Sequence, residues 1–251
     1  MAVQKLLKSF VFLILSSLSF LFISCTTMDK NSDTPEGAFA IAENFEKDEM
    51  YEESIRRYTD VKNRFPYSSY ATKAELAIAD VYYKQESFLE SQLAYQNFRE
   101  LHPTATNIDY VVFKIGMSFY SQLPNTIDRD LSSAHSAIST FEELLRKYPQ
   151  SAHAVEAKEN QNKAYQMLAE KEKYIADFYF KRGNFESALT RYENLLKKYS
   201  GQGFEANSLL KAGLAAKKLG QDKKAKDLYL VLKERFPESS DTKELQGELG
   251  L

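Results

Sequence analysis

Five stretches of this chain share one spacing. Each has a small residue, then an aromatic four places on, then a fixed position eight places further that is proline in four of the five. The sets are Ser54/Tyr58/Pro66, Ser91/Tyr95/Pro103, Ala137/Phe141/Pro149, Ala188/Tyr192/Ser200 and Ala225/Tyr229/Pro237. Twelve residues before four of these sets stands another small residue, Ala42, Ala79, Ala176 or Gly213, and the first three are followed three places on by Phe45, Tyr82 and Tyr179. In the third set Gly116 and Phe119 hold these places, with nine extra residues in between. The spacing has a steric cause. A small residue on each of two antiparallel helices lets their backbones approach, and an aromatic one turn away fills the groove beside it. A proline then stops the second helix, because it lacks an N–H and crowds the preceding turn.

This is the logic of tetratricopeptide (TPR) repeats: helix, tight turn, helix, then stacking on the next pair. The sequence therefore predicts an all-α fold, an α-solenoid of five tetratricopeptide-like helix pairs that stabilise one another as neighbours. The pairs are expected at about residues 35–66, 69–103, 107–149, 151–200 and 203–237, within a solenoid spanning 34–238. Turns inside the pairs are expected at Lys47–Met50, Glu86-Ser87, Gly183-Asn184 and Gly220-Gln221. The small residues that lead the five sets step by 37, 46, 51 and 37. The 46 contains an insertion around Leu123–Leu131, LPNTIDRDL. The 51 contains a run without Pro or Gly from Ser151 to Arg182, read as one helix of about 32 residues and about 48 Å. Residues 239–251 are left open between a short capping helix and a frayed tail.

At the N-terminus, Lys5 and Lys8 precede an uncharged, mostly apolar run, FVFLILSSLSFLFI. At about 14 residues it is short of the roughly 20 that a spanning helix needs. With the small Ser24 after it, the run reads as a secretory signal, residues 1–24. Cys25 is the only cysteine in the chain, so it closes no internal disulfide. Phe22-Ile23-Ser24-Cys25 resembles a bacterial lipobox, with Phe22 where leucine is usual. That resemblance implies lipidation of Cys25 and cleavage before it; the alternatives are an uncleaved anchor or an ordinary signal. Several acyl chains hold a protein stably where one does so marginally. Residues 25–33 are then a lipidated start and flexible tether, and Thr26, in place of an aspartate, implies sorting to the outer membrane.

The formal charge is −2, and without the two lysines of residues 1–24 it is −4, which argues against a nucleic-acid binder. Charge is unevenly placed. Residues 181–236 carry 13 basic and 6 acidic side chains, whereas residues 33–67 carry 9 acidic and 5 basic. Such polarity steers different partners to different regions.

Several stretches resemble the BamD family, lipoproteins of the β-barrel assembly machine. They are RFPYSSYATKAELAIADVYYK from Arg64, LHPTATNIDYVVFKIGMSFY from Leu101, DRDLSSAHSAISTFEELLRKYPQSAHAVEAK from Asp128 and YIADFYFKRGNFESALTRYENLLKKY from Tyr174. The resemblance covers residues 34–238 and includes the irregular repeat steps. Ser68-Ser69 and Ser200 depart from its pattern. It implies an outer-membrane lipoprotein facing the periplasm that holds the POTRA domains of a BamA-like barrel subunit through its C-terminal repeats. It also implies association with other assembly-machine lipoproteins, and N-terminal repeats that receive the aromatic-ended C-termini of unfolded outer-membrane proteins. The alternatives are a TPR pilotin for a secretin or pilus system and a periplasmic envelope-coordinating TPR adaptor.

Candidate sites follow. Phe65, Pro66, Tyr67 and Tyr70, with Tyr82 and Tyr83 nearby in sequence, offer large aromatic faces for a peptide terminus at little entropic cost. The other reading is that they close the contact between the first two repeats. Arg182 and Arg191 match arginines that contact BamA in the family, and an arginine fork suits a carboxylate as lysine does not. The other reading is a solvated charged face. Asn125–Asp130 in the insertion is either a partner contact or a cap for the helix after it. His102, His135 and His153 are scattered, with no metal-ligand spacing, nucleophile elbow or phosphate loop. No enzyme activity, cofactor or metal is expected.

Overall fold

The computed structural model describes residues 32–251, so the signal, Cys25 and most of the tether lie outside the described residues. The described residues form eleven α-helices and no strand. They divide into two compact units, one ending at Ala74 and one running Glu75–Leu251.

The first unit contains α1 (Pro35–Lys47), α2 (Tyr51–Arg64) and the opening turns of α3 (Ser69–Lys84). Thr34 starts α1: its Oγ1 accepts from the Gly37 N–H at 3.1 Å, and Pro35 fills the first position, where no N–H is needed. The helix ends in a left-handed residue, Glu49 (φ 58°), which lets Met50 N–H donate back to the Phe45 carbonyl. That reversal lays α2 against α1, with Ala42, Ser54 and Tyr58 fully buried between them. The Tyr58 hydroxyl keeps a partner by donating to Glu46 Oε2 at 2.6 Å.

The second unit continues from α3 through α4 (Phe88–Leu101), α5 (Ile108–Ser121), α6 (Ser132–Lys147), α7 (Ala154–Lys181), α8 (Phe185–Lys198), α9 (Glu205–Lys218), α10 (Asp222–Arg235) and α11 (Ser240–Leu249). From α4 on, each helix packs on the next, and α5, α7, α9 and α11 also touch in succession. That is the stacking of tetratricopeptide-like pairs. Glu86, Gly183 and Gly220 repeat the left-handed turn of Glu49, with the same backbone bond from Ser87 to Tyr82, Asn184 to Tyr179 and Gln221 to Ala216. The small residues of the repeat are buried, and at the two glycines among them a side chain would have to displace its neighbour. A Cβ on Gly116 would lie 2.6 Å from Phe141, and one on Gly213 would lie 2.7 Å from Leu245.

Two details differ from the sequence reading or complete it. The long helix starts at Ala154 instead of Ser151, because Ser151 Oγ accepts from His153 N–H in a local turn, and it runs 28 residues. Residues 240–249 are a helix, seated by the fully buried Leu245. Ser200, without proline, still follows a residue with the same non-helical backbone: Tyr199 has φ −127°, close to Phe65 (−129°), His102 (−127°) and Tyr148 (−130°).

Candidate functional site

In the first unit the four aromatic-turn residues do different jobs. Helix α2 stops at Arg64, and Ser68 N–H bonds the Phe65 carbonyl to form the turn. Tyr67, at its tip, is completely exposed (103%). Pro66 beside it is exposed as well. Phe65 is half-buried, with the Arg64 guanidinium 5.1 Å above its ring. Tyr70 faces inward: its ring lies 5.5 Å from the Phe39 ring, with Lys73 Nζ 4.6 Å from the Tyr70 ring centroid. Desolvation, then the neighbouring Glu36 carboxylate, push the Tyr70 hydroxyl pKa up. Tyr67 and Pro66 thus present a free surface, Phe65 supports it, and Tyr70 packs.

In the second unit, Tyr82 is half-buried. Tyr83 is held from three sides: Lys114 Nζ sits 3.4 Å from its ring centroid, Phe88 meets it edge-on at 5.3 Å, and its hydroxyl lies 3.4 Å from Ser121 Oγ. That arrangement makes it a packing residue.

Arg182 caps the end of α7, exposed, with its guanidinium 4.7 Å over the Phe178 ring. Among the described residues no ion pair holds it. Phe178 and Tyr174, one turn earlier, are themselves exposed, so the end of α7 shows an aromatic and cationic strip. Arg191, on α8, behaves differently. Its Nη1 donates to both Glu172 oxygens at 3.2 Å, across to α7. Its remaining face lines a cavity of about 330 Å³ with Tyr179, Glu186, Ser187 and Thr190, which Arg182 does not line.

The insertion is capped locally. Asp130 accepts from Ser132 N–H at 3.2 Å and from Ser132 Oγ at 2.6 Å, and those bonds hold its carboxyl below the usual range. Lys171 of α7 donates to the Arg129 carbonyl and fixes the loop from the other side.

Two partly buried carboxylates escaped the sequence reading. Asp80 accepts from the hydroxyls of Tyr95 and of Tyr110 (2.5 Å). Burial pushes its pKa up, against the opposing pull of both tyrosines. Asp177 accepts from Tyr192 at 2.6 Å, Lys211 at 2.6 Å and Lys173 at 2.7 Å. Burial opposes its ionisation too, but the two lysines and the tyrosine outweigh it and bring its pKa to about 2. The signal was in the spacing: Asp80, Tyr95 and Lys114 stand at the same intervals as Asp177, Tyr192 and Lys211. These groups brace neighbouring repeats and face no open cleft.

Two of the three histidines are absorbed in packing, and His135 is exposed. His102 Nε2 lies 2.6 Å from Glu75, and His153 stacks on Phe113 at 4.6 Å. Among the described residues no group of His, Cys, Asp and Glu could hold a metal, and no helix is long and apolar enough to cross a membrane.

A profile of the YfiO family, described as outer membrane lipoprotein, matches residues 31–244. The chain is 29% identical over 240 residues to the outer membrane protein assembly factor BamD of Neisseria meningitidis strain Z2491, covering 89% of this chain and 90% of that one. It is 26% identical over 195 residues to the BamD of Vibrio cholerae, covering 74% of this chain and 81% of that one. Among solved structures, the TPR2AB domain of yeast Sti1 covers 86% of this chain and 82% of its own at 15% identity and a TM-score of 0.44.

Proposed function

The chain belongs to the YfiO family of outer membrane lipoproteins, and from that premise we propose that it is an assembly factor for outer-membrane proteins. The observation that carries this reading is the match along nearly the whole length of relatives that bear that name. In the finer form of the proposal, acyl chains on Cys25 anchor the protein to the outer membrane, and its helical repeats face the periplasm. The proposed role is that of a scaffold, supported by exposed partner-facing side chains such as Tyr67 and Arg182 on a helical framework.

Two surfaces serve the scaffold. The turn bearing Phe65, Pro66 and Tyr67 receives the aromatic C-terminal segment of an unfolded outer-membrane protein, with Tyr67 as the face that the peptide stacks on. An exposed tyrosine ring supports this, since it offers area without needing to be uncovered. Tyr70 contributes by holding the turn in place. Arg182 and Arg191 hold the POTRA domains of a BamA-like subunit. Arg182 offers a whole guanidinium, and Arg191 offers the edge that Glu172 leaves open.

The test is capture. Full chain in mild detergent is immobilised and exposed to a purified array of POTRA domains and, separately, to a peptide copying the aromatic-ended terminus of a barrel protein. Binding of both is expected. Failure to retain the POTRA array removes the scaffold reading, and radiolabelled palmitate that enters the Cys25→Ser variant as well as wild type removes the anchor.

A further inference from the structure

The nine-residue insertion does more than lengthen a turn. Together with the α3–α4 turn, the end of α5 and the middle of α7, it walls an open-sided cavity of about 490 Å³ within the second unit. The lining is mixed: Phe88, Leu123, Ile127 and Met167 give it an apolar side, and Tyr120, Ser121 and Asn125 a polar one. Its charged lining residues are both acidic, Glu86 from the turn and Glu170 from α7, and no lysine or arginine lines it. Glu86 occupies a left-handed position (φ 63°), as Glu49 does in the first pair, where the fourth and fifth pairs carry glycine, and it sets a carboxylate at the rim.

The wall is held rigid. Leu123 and Leu131, at the two ends of the insertion, pack with Ala134, Ile138, Ala164 and Leu168. Asp130 is used up on Ser132, and Lys171 grips the Arg129 carbonyl. Thr126 is exposed and away from the cavity, while Asn125 and the half-buried Ile127 line it. A loop serving only as a connection needs neither an inward isoleucine nor two anchors.

We propose that this cavity docks a partner's peptide segment in which a large apolar side chain is flanked by lysine or arginine. The apolar side chain enters between Phe88, Ile127 and Met167, and the cations meet Glu86 and Glu170. Charge complementarity selects this occupant: an acidic segment would meet two carboxylates, and an uncharged one would leave Glu86 and Glu170 with no counter-charge, Gln166 giving Glu170 only a neutral hydrogen bond at 3.1 Å. The site is separate from the Tyr67 turn and independent of its assigned role.

The experiment uses full chain in mild detergent and three fluorescein-labelled nonapeptides, read by anisotropy. One has a Leu-Phe core between lysines, one the same core between glutamates, and one lysines around a serine core. The lysine-flanked Leu-Phe peptide is expected to bind about tenfold tighter than the glutamate-flanked one, and the serine-core peptide to bind weakest. Ile127→Asp should abolish binding with helicity retained, and Tyr67→Ala should leave it unchanged. The double variant Glu86→Lys/Glu170→Lys, which leaves the apolar lining intact, should reverse the preference. Equal affinity for all three peptides, no binding by any, or an unreversed preference in the double variant overturns the proposal. So does a concentration-dependent dimer in sedimentation that Ile127→Asp dissolves, which would assign the cavity to a second copy.

Discussion

Arg191 and Glu172 are joined across two helices: one guanidinium nitrogen, Nη1, lies 3.2 Å from both carboxylate oxygens. The arginine that was expected to reach outward is therefore half committed within the chain. Glu172 orients it, leaving Nε and Nη2 for a partner. Glu172→Gln should leave POTRA capture at least as tight as wild type, whereas Arg191→Ala should weaken it about tenfold. Because the pair is partly exposed, each change should move Tm by less than about 3 °C. Biolayer interferometry beside a thermal melt separates the two effects, and loss of capture in Glu172→Gln would mark the ion pair itself as the contact.

Tyr67 and Tyr70 stand three residues apart and should respond oppositely. Tyr67→Ala removes an exposed ring, so stability should hold within about 0.5 kcal/mol while affinity for the aromatic-ended peptide falls. Tyr70→Ala removes a ring packed on Phe39 and should cost about 2 kcal/mol or more. Paired urea melts and peptide titrations check both.

One substitution at two glycines should have opposite signs. Gly116→Ala places a Cβ 2.6 Å from Phe141, inside a filled core, and should destabilise by about 1–3 kcal/mol. Gly247→Ala meets nothing within 4 Å on an exposed stretch of α11 and should stabilise by about 0.5–1 kcal/mol through helix propensity.

Strong acid should weaken the fold through Asp177. Its pKa in the fold is about 2, below the ordinary 3.8, so its ionised form stabilises the fold above pH 4. That contribution drains away as the pH falls from about 4 through 2. Asp177→Asn should cost about 2 kcal/mol at pH 7, and the difference from wild type should close near pH 2. Asp80 runs the other way. Its carboxyl is raised in the fold, so its ionisation works against folding and its protonation on acidification favours it. Asp80→Asn, which keeps an acceptor for Tyr95 and Tyr110, should be tolerated at pH 7. Urea midpoints at pH 7, 5 and 3 distinguish the two carboxylates.

The repeat was legible because its constraints are local. The small residue and the aromatic at fixed intervals are set by contact between adjacent helices and are indeed buried, while the stop that follows each pair is exposed. Ser200 shows that proline was a marker of the helix exit and not its cause, since Tyr199 adopts the same backbone without one. Where the reading stopped, a distant partner decided. The start of α7 depends on a hydroxyl turn at Ser151. The helix at residues 240–249 depends on Gly213 leaving room for Leu245. Tyr67 and Tyr70 look alike in sequence, and only Phe39, some thirty residues earlier, separates them. Glu172 is nineteen residues from Arg191, too far for any single-helix pattern to announce the pair.

Helix α7 touches α5, α6, α8 and α9, and its 28 residues contain neither glycine nor proline. It has no point at which to flex, so any bending of the second unit must be taken up at the joints to either side, near Ser151 and Gly183. The α7 backbone then acts as a lever: tilt imposed at one end by a bound partner arrives undiminished at the other.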